Sequence, residues 1–143
     1  MEYEKITYKI IACAMEVHNQ LGNGFQEVIY QRALSIELNL NNIDHIREQE
    51  MKIYYKNEFI GTRRVDFLVN GNISVEIKAV KELDDVHLAQ ALNYLETYNL
   101  QVGLLINFGS NKLQFKRLHN QKYKYPENLV NQENRGLDNL TSK

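Results

Sequence analysis

The sequence predicts an α/β domain with a mixed central β-sheet flanked by helices, its elements running ααβββαββ. Three observations predict it. Two stretches with apolar residues three and four apart open the chain, three strand-like segments joined by turn signals follow, and a helical segment then leads into the apolar run Val102-Gly103-Leu104-Leu105-Ile106-Asn107-Phe108. A helix that carries the chain from one strand to a strand buried on both faces implies a parallel pair inside an otherwise antiparallel sheet.

The elements follow in order. Ile6, Ile10, Ala14, Val17 and Leu21 mark an amphipathic helix over about residues 3–21, stopped by Gly22-Asn23-Gly24. A second helix, about 26–40, uses Val28, Ala33, Leu34, Ile36 and Leu38 for its apolar surface and ends among Asn39, Asn41 and Asn42. Strands are expected at about 45–55, 58–69 and 73–80, and a third helix at about 84–98 with Asp84 or Asp85 as its N-cap and first-turn acid. The buried strand at 102–108 and an alternating edge strand at about 112–118 complete the sheet. These form one domain, residues 1–118; the polar segment 119–143, with the single proline Pro126, reads as a tail.

The stretch Gly61–Val80 is the most informative. Val65, Phe67 and Val69 alternate before Asn70-Gly71, and Ile73, Val75 and Ile77 alternate after it, the pattern of a β-hairpin. A three-residue turn, Asn70 to Asn72 with Gly71 at positive φ, sets Val69 opposite Ile73, Phe67 opposite Val75 and Val65 opposite Ile77, so all six apolar side chains share one face. The other face then opposes Asp66 to Glu76 and Arg64 to Lys78. Two carboxylates directly opposed on neighbouring strands repel. A hard divalent cation offsets that repulsion, because Mg²⁺ takes oxygen ligands from one or two carboxylates and keeps several waters. Lys78 beside the pair completes a set able to hold water for attack on a phosphodiester. The competing explanation is that these polar residues are the wet face of an amphipathic hairpin.

Composition narrows the function classes. Seventeen basic and 18 acidic residues leave a net charge of −1, which excludes a broad basic surface for holding nucleic acid by phosphate contacts alone. Bound cations would offset site carboxylates, so a metal-dependent nuclease stays compatible. The lone Cys13 rules out an intrachain disulfide and a cysteine-based zinc site, and the histidines His45, His87 and His119 lack ligand spacing. No run is long enough to span a membrane, and the N-terminus lacks a signal-peptide order, so a cytoplasmic location is expected. His18, just before the first helix stop, complements that helix's C-terminal dipole.

Two further motifs are G-x-x-E-x-x-Y at Gly24–Tyr30, opening the second helix, and Q-x-x-x-Y at Gln90–Tyr94 on the third. With Asp66 and Glu76-x-Lys78, the chain closely resembles the GxxExxY protein family, grouped with the PD-(D/E)XK nucleases, over about residues 5–118. The resemblance implies a restriction-endonuclease-like core and a site in which Asp66, Glu76 and Glu27 bind Mg²⁺ or Mn²⁺. It implies that Lys78 positions the attacking water or stabilises the pentacovalent phosphate, and that Gln90 and Tyr94 line the site. Tyr30 shares a helix face with Glu27, and Arg63 and Arg64 lie just before Asp66; all three, with Tyr94, are taken as substrate-binding candidates. Val65 stands where the superfamily's nominal motif has proline. DNA is the expected substrate, and so short a chain implies low sequence specificity, a homodimer or a protein partner that supplies specificity. The alternative is a non-catalytic module that binds nucleic acid or protein and keeps the fold, with Tyr54, Tyr55 and Phe59 as a self-associating surface; a metal-dependent phosphatase fits the chemistry but not the family.

Overall fold

In the computed structural model, residues 2–126 are described. Helices α1 (Glu2–Leu21) and α2 (Glu27–Leu40) precede strands β1 (His45–Tyr55), β2 (Glu58–Val69) and β3 (Ile73–Lys78). Helix α3 (Asp85–Thr97), β4 (Val102–Asn107) and β5 (Gln114–His119) follow. The sheet order is β1-β2-β3-β4-β5, with β3 and β4 parallel and the other neighbours antiparallel. This is the mixed sheet with flanking helices expected from the sequence.

The apolar pattern explains the layers. Ile10, Ala14 and Val17 of α1 and Leu34 and Leu38 of α2 bury against Phe67, Val75, Ile77, Leu104 and Ile106. Tyr30, Leu34 and Leu38, four apart, form the inward stripe of α2, whereas Ile36, expected in it, is 60% exposed. On the opposite sheet face α3 buries Ala91, Tyr94 and Leu95. There β4 needs Gly103, since a Cβ would lie 2.5 Å from Ser74 Oγ and 3.0 Å from a Leu95 methyl. Asp84 caps α3 by accepting the His87 N–H at 3.1 Å, and Asp85 sits in the first turn.

The β2–β3 turn has the three-residue form, pairing Val69 with Ile73 and Phe67 with Val75. Asn70 and Gly71 take positive φ, 57° and 76°. All six alternating apolar side chains are buried. At the far end of the sheet the chain does not leave the domain at residue 118. Asn120 is buried and donates to the Leu95 and Leu100 carbonyls at 3.2 and 3.0 Å, and the Asn99 side chain bonds the Lys124 backbone in both directions. Polar composition hid this because the packing is carried by asparagine hydrogen bonds rather than apolar burial. The remainder of the expected tail, 127–143, lies outside the described residues.

Candidate functional site

The site lies where the β2–β3 ladder stops. Phe67 with Val75 is its last pair. Beyond it the strands diverge, so Asp66 with Glu76 and Arg64 with Lys78 do not form the ladder pairs expected of them. Asp66 instead turns its carboxylate into the gap, and Oδ2 accepts the Ile77 N–H at 2.7 Å. Its Oδ1 accepts from Gln31 Nε2 of α2 at 2.8 Å, and Gln31 in turn accepts from Arg47 at 3.4 Å. Burial raises the Asp66 pKa above the ordinary carboxylate range, against the lowering effect of these two hydrogen bonds and of Lys78. Glu48 raises it further; it lies across β1 from Asp66, between the pairs Arg47–Phe67 and Gln49–Val65, and takes φ 57°. Positive φ at a residue other than glycine is uncommon and gathers at functional sites.

Glu76 lies on the α3 side. Its Oε2 is buried without a hydrogen-bond partner, and the Arg63 guanidinium stands 3.5 Å away. Burial raises the Glu76 pKa; Arg63 and Lys78 pull it down, and Asp66 and Glu27 push it up. Lys78, half-buried, makes no ion pair among the described residues, yet its charge reaches both carboxylates. The end of β3 that carries it is held from β4. Phe108 N–H donates to Lys78 O at 2.8 Å, and the fully buried Asn107 accepts from Val80 N–H and donates to Val80 O, both at 2.9 Å.

The remaining candidates divide between the site and its scaffold. Tyr30 is not placed to touch a substrate. Its ring is fully buried and stacked on Phe108, centroids 4.7 Å apart, and its hydroxyl donates to Gly22 O at 2.6 Å and accepts from Phe25 N–H at 3.1 Å. In G-x-x-E-x-x-Y the tyrosine therefore staples the α1–α2 link, which sets exposed Glu27 at the start of α2, where its charge adds to those that raise the Glu76 pKa. Tyr94 is also fully buried, under the Arg63 guanidinium (5.1 Å from the ring centre). Its hydroxyl has no partner, and burial pushes its pKa to about 12. Arg63 is committed to α3, donating to Asn93 Oδ1 at 2.8 Å and Gln90 O at 2.6 Å, so it is Glu76's counter-ion rather than a free phosphate contact. Arg64 and the Gln90 side chain are exposed, and Gln90 lines a shallow cleft of about 540 Å³ with Arg63, Glu76, Val86 and Asn93.

Sequence inspection missed Gln31 and Asn107. Each had a signal, a polar residue inside an apolar stripe, which must find buried partners. His18 keeps its expected place in the last turn of α1, and its Nε2 lies 3.0 Å from Ser110 O, tying α1 to the β4–β5 connection.

Among the described residues no three His, Cys, Asp or Glu side chains converge to hold a metal, so Glu27 does not close a three-carboxylate cage with Asp66 and Glu76. The donors fit a looser, water-rich cation. Mg²⁺ is typically held by one or two carboxylates, and Glu76 Oε2 is a buried anionic oxygen with an unfilled hydrogen-bonding capacity. A stability test follows. A glutamate whose folded pKa is raised contributes stability at low pH that is lost as pH rises through the raised value. Without metal, Glu76→Gln is expected to raise Tm near pH 7.5 by a few degrees, on the order of 1 kcal/mol, and to lose that advantage near pH 4. A variant less stable than wild type at both pH values in a thermal melt counts against this.

No helix among the described residues is long and apolar enough to cross a membrane. The solved structure of SSO0001 is similar in fold, with a TM-score of 0.53 at 17% identity, covering 81% of this chain and 60% of that one. No curated protein matches the chain. The sequence itself matches the PD-(D/E)XK nuclease superfamily over residues 4–118, a span that runs from α1 into β5 and contains both strands of the site. On that match, the chain belongs to the PD-(D/E)XK nuclease superfamily.

Proposed function

We propose that this chain is a metal-dependent nuclease that hydrolyses DNA phosphodiester bonds, of the GxxExxY type within its superfamily. The observation that supports the reading is Glu76 Oε2, buried without a hydrogen bond and offset only by the Arg63 guanidinium 3.5 Å away, beside Asp66 and Lys78 at the point where β2 and β3 part. Asp66 and Glu76 would hold Mg²⁺ or Mn²⁺, with exposed Glu27 acting through intervening water. The ion, when bound, lowers the pKa of water and offsets charge on the phosphate.

The chain's own residues do the rest. Gln31 and the Ile77 N–H occupy one acceptor site on each Asp66 oxygen and fix the carboxylate's plane. Lys78 brings a positive charge to both carboxylates, which supports a role in orienting the attacking water or neutralising the phosphate. Gln90 lines the cleft beside Glu76, and Arg64 offers an exposed charge on the approach. A cytoplasmic location and a homodimer or specificity-giving partner belong to the same proposal.

The Arg63–Glu76 contact supports a second reading, a module that binds nucleic acid or protein without metal, because an internal cation already offsets the carboxylate. Cleavage of linear and circular, single- and double-stranded DNA in Mg²⁺ or Mn²⁺, with Glu76→Ala alongside, separates the two. Activity that the variant lacks supports the nuclease. Neither cleavage nor calorimetric Mn²⁺ binding leaves the second reading.

A further inference from the structure

The β1–β2 hairpin is much longer than the strand beside it. β2 pairs with β1 from Glu58 to Val69 but with β3 only from Phe67 to Val69, so its outer part is a two-stranded ribbon that starts at the site and projects from the sheet. The ribbon turns at Lys56-Asn57, both at positive φ, the geometry of a tight hairpin. Its two faces differ. Met51, Ile53, Gly61 and Arg63 are half-buried, whereas Lys52, Tyr54, Thr62 and Arg64 are exposed.

The register places the exposed residues in one track. Arg64 and Thr62, two apart on β2, share a face, Lys52 pairs with Thr62, and Tyr54 pairs with Phe59 across a bulge that keeps them on that face. Tyr54 and Phe59 are 58% and 57% exposed, their rings 6.1 Å apart, with Lys52 Nζ 5.9 Å from the Phe59 ring centre. The outer ribbon, residues 51–64, carries Lys52, Lys56 and Arg64, besides the Arg63 committed to Glu76 and α3, against one acid, Glu58, in a chain of net charge −1. Glu50, across from Arg64, is an acid at the track's inner end.

Tyr54, Tyr55, Phe59 and Ile60 are all exposed at the ribbon's end, and a contiguous apolar patch of this kind marks a binding surface where isolated exposed rings would not. Basic residues spaced between rings suit a single nucleic-acid strand, with phosphates on the cations and unpaired bases on the rings. A duplex keeps its bases stacked inside and offers those rings nothing. We infer that this ribbon face is a binding track for single-stranded nucleic acid, with Tyr54 and Phe59 as the stacking platform and Lys52 and Arg64 as phosphate contacts leading the strand toward Asp66. The inference deepens the nuclease reading and rests on it for the direction of the strand, but the binding itself needs no cleavage.

The test is fluorescence anisotropy in EDTA with a labelled oligothymidylate of about 20 nucleotides and a blunt duplex of equal length. Wild type is expected to bind the single strand more tightly. Tyr54→Ala/Phe59→Ala is expected to weaken that binding about tenfold or more with an unchanged Tm and little effect on the duplex. Lys52→Gln/Arg64→Gln is expected to lower the salt dependence, by about 0.7 in log–log slope for each charge. Single-strand affinity that is absent in wild type, or unchanged in the folded aromatic variant, overturns the inference. So does a wild-type dimer in sedimentation that the aromatic variant dissociates without a change in DNA affinity, which would assign the face to a second copy. Because the assay contains no metal, a protein that binds but never cleaves refutes the nuclease reading and leaves the track standing.

Discussion

Lys78→Met is expected to reduce DNA cleavage by roughly 10³-fold while leaving Mn²⁺ binding intact or tighter. Lys78 is half-buried at the end of β3, without an ion-pair partner among the described residues, and its charge bears on both Asp66 and Glu76. Methionine keeps the aliphatic stem and removes only the charge, so packing at the strand end is preserved. Removing a cation beside two carboxylates favours a divalent ion electrostatically, and the loss should therefore appear in the chemical step. Glu76→Ala behaves differently under the same proposal, losing Mn²⁺ affinity and cleavage together. Single-turnover cleavage and a calorimetric Mn²⁺ titration on each variant separate the two patterns. If Lys78→Met cleaves at the wild-type rate, the role proposed for this residue is wrong.

Asn107→Leu is expected to destabilise the domain by about 3–4 kcal/mol, a fall in Tm on the order of 10 °C. Asn107 is fully buried, accepts from the backbone N–H groups of Val80 and Gly109 at 2.9 and 3.0 Å, and donates to Val80 O and Gln114 Oε1 at 2.9 and 3.0 Å. Leucine fills the volume but leaves those groups without partners, and an unsatisfied buried group costs more than a hydrogen bond contributes. Asn107→Asp keeps the two accepted bonds but sets a buried carboxylate oxygen against Val80 O and Gln114 Oε1, so near pH 7 it should cost at least as much. Gly109→Ala strikes the same junction from the other side. An added Cβ would collide with Val80 O and lie 2.6 Å from Ala79 C, backbone atoms that cannot turn aside. Denaturant melts of the three variants check the order, and an Asn107→Leu protein as stable as wild type would sink the account of this clasp. The clasp lies two residues beyond Lys78, so its loss should also lower activity without touching the site.

Much of the fold was legible because its signals are local. Period-2 alternation around Asn70-Gly71 specified the turn form and the buried face of β2 and β3, and the spacing of Ile10, Ala14 and Val17 marked α1. Asp66, Glu76 and Lys78 were singled out from the same hairpin, since charged residues at alternate positions beside a buried face must share the opposite one. Where the pattern misled, a contact distant in the chain had taken over. Alternation carried the ladder through Asp66 and Glu76, but two opposed carboxylates gain nothing from pairing, and the strands part there. Ile36 fitted the helical stripe that Tyr30 occupies, because hydrophobicity alone cannot tell which side of a helix meets the sheet.

The division follows from the range of the forces. Helix periods, turn residues and strand alternation act over a few residues, so the order ααβββαββ and the identity of the acidic hairpin could be read from the chain alone. Roles that depend on residues far apart in the chain could not. Gln31 reaches Asp66 across 35 positions, Arg63 reaches α3 across 27 to 30, and Tyr30 meets Phe108 only when α2 lies over β4. Arg63 and Tyr94 thus changed from candidate substrate contacts into supports for Glu76, because burial and a second hydrogen-bond partner are properties of packed layers and leave no trace in local spacing.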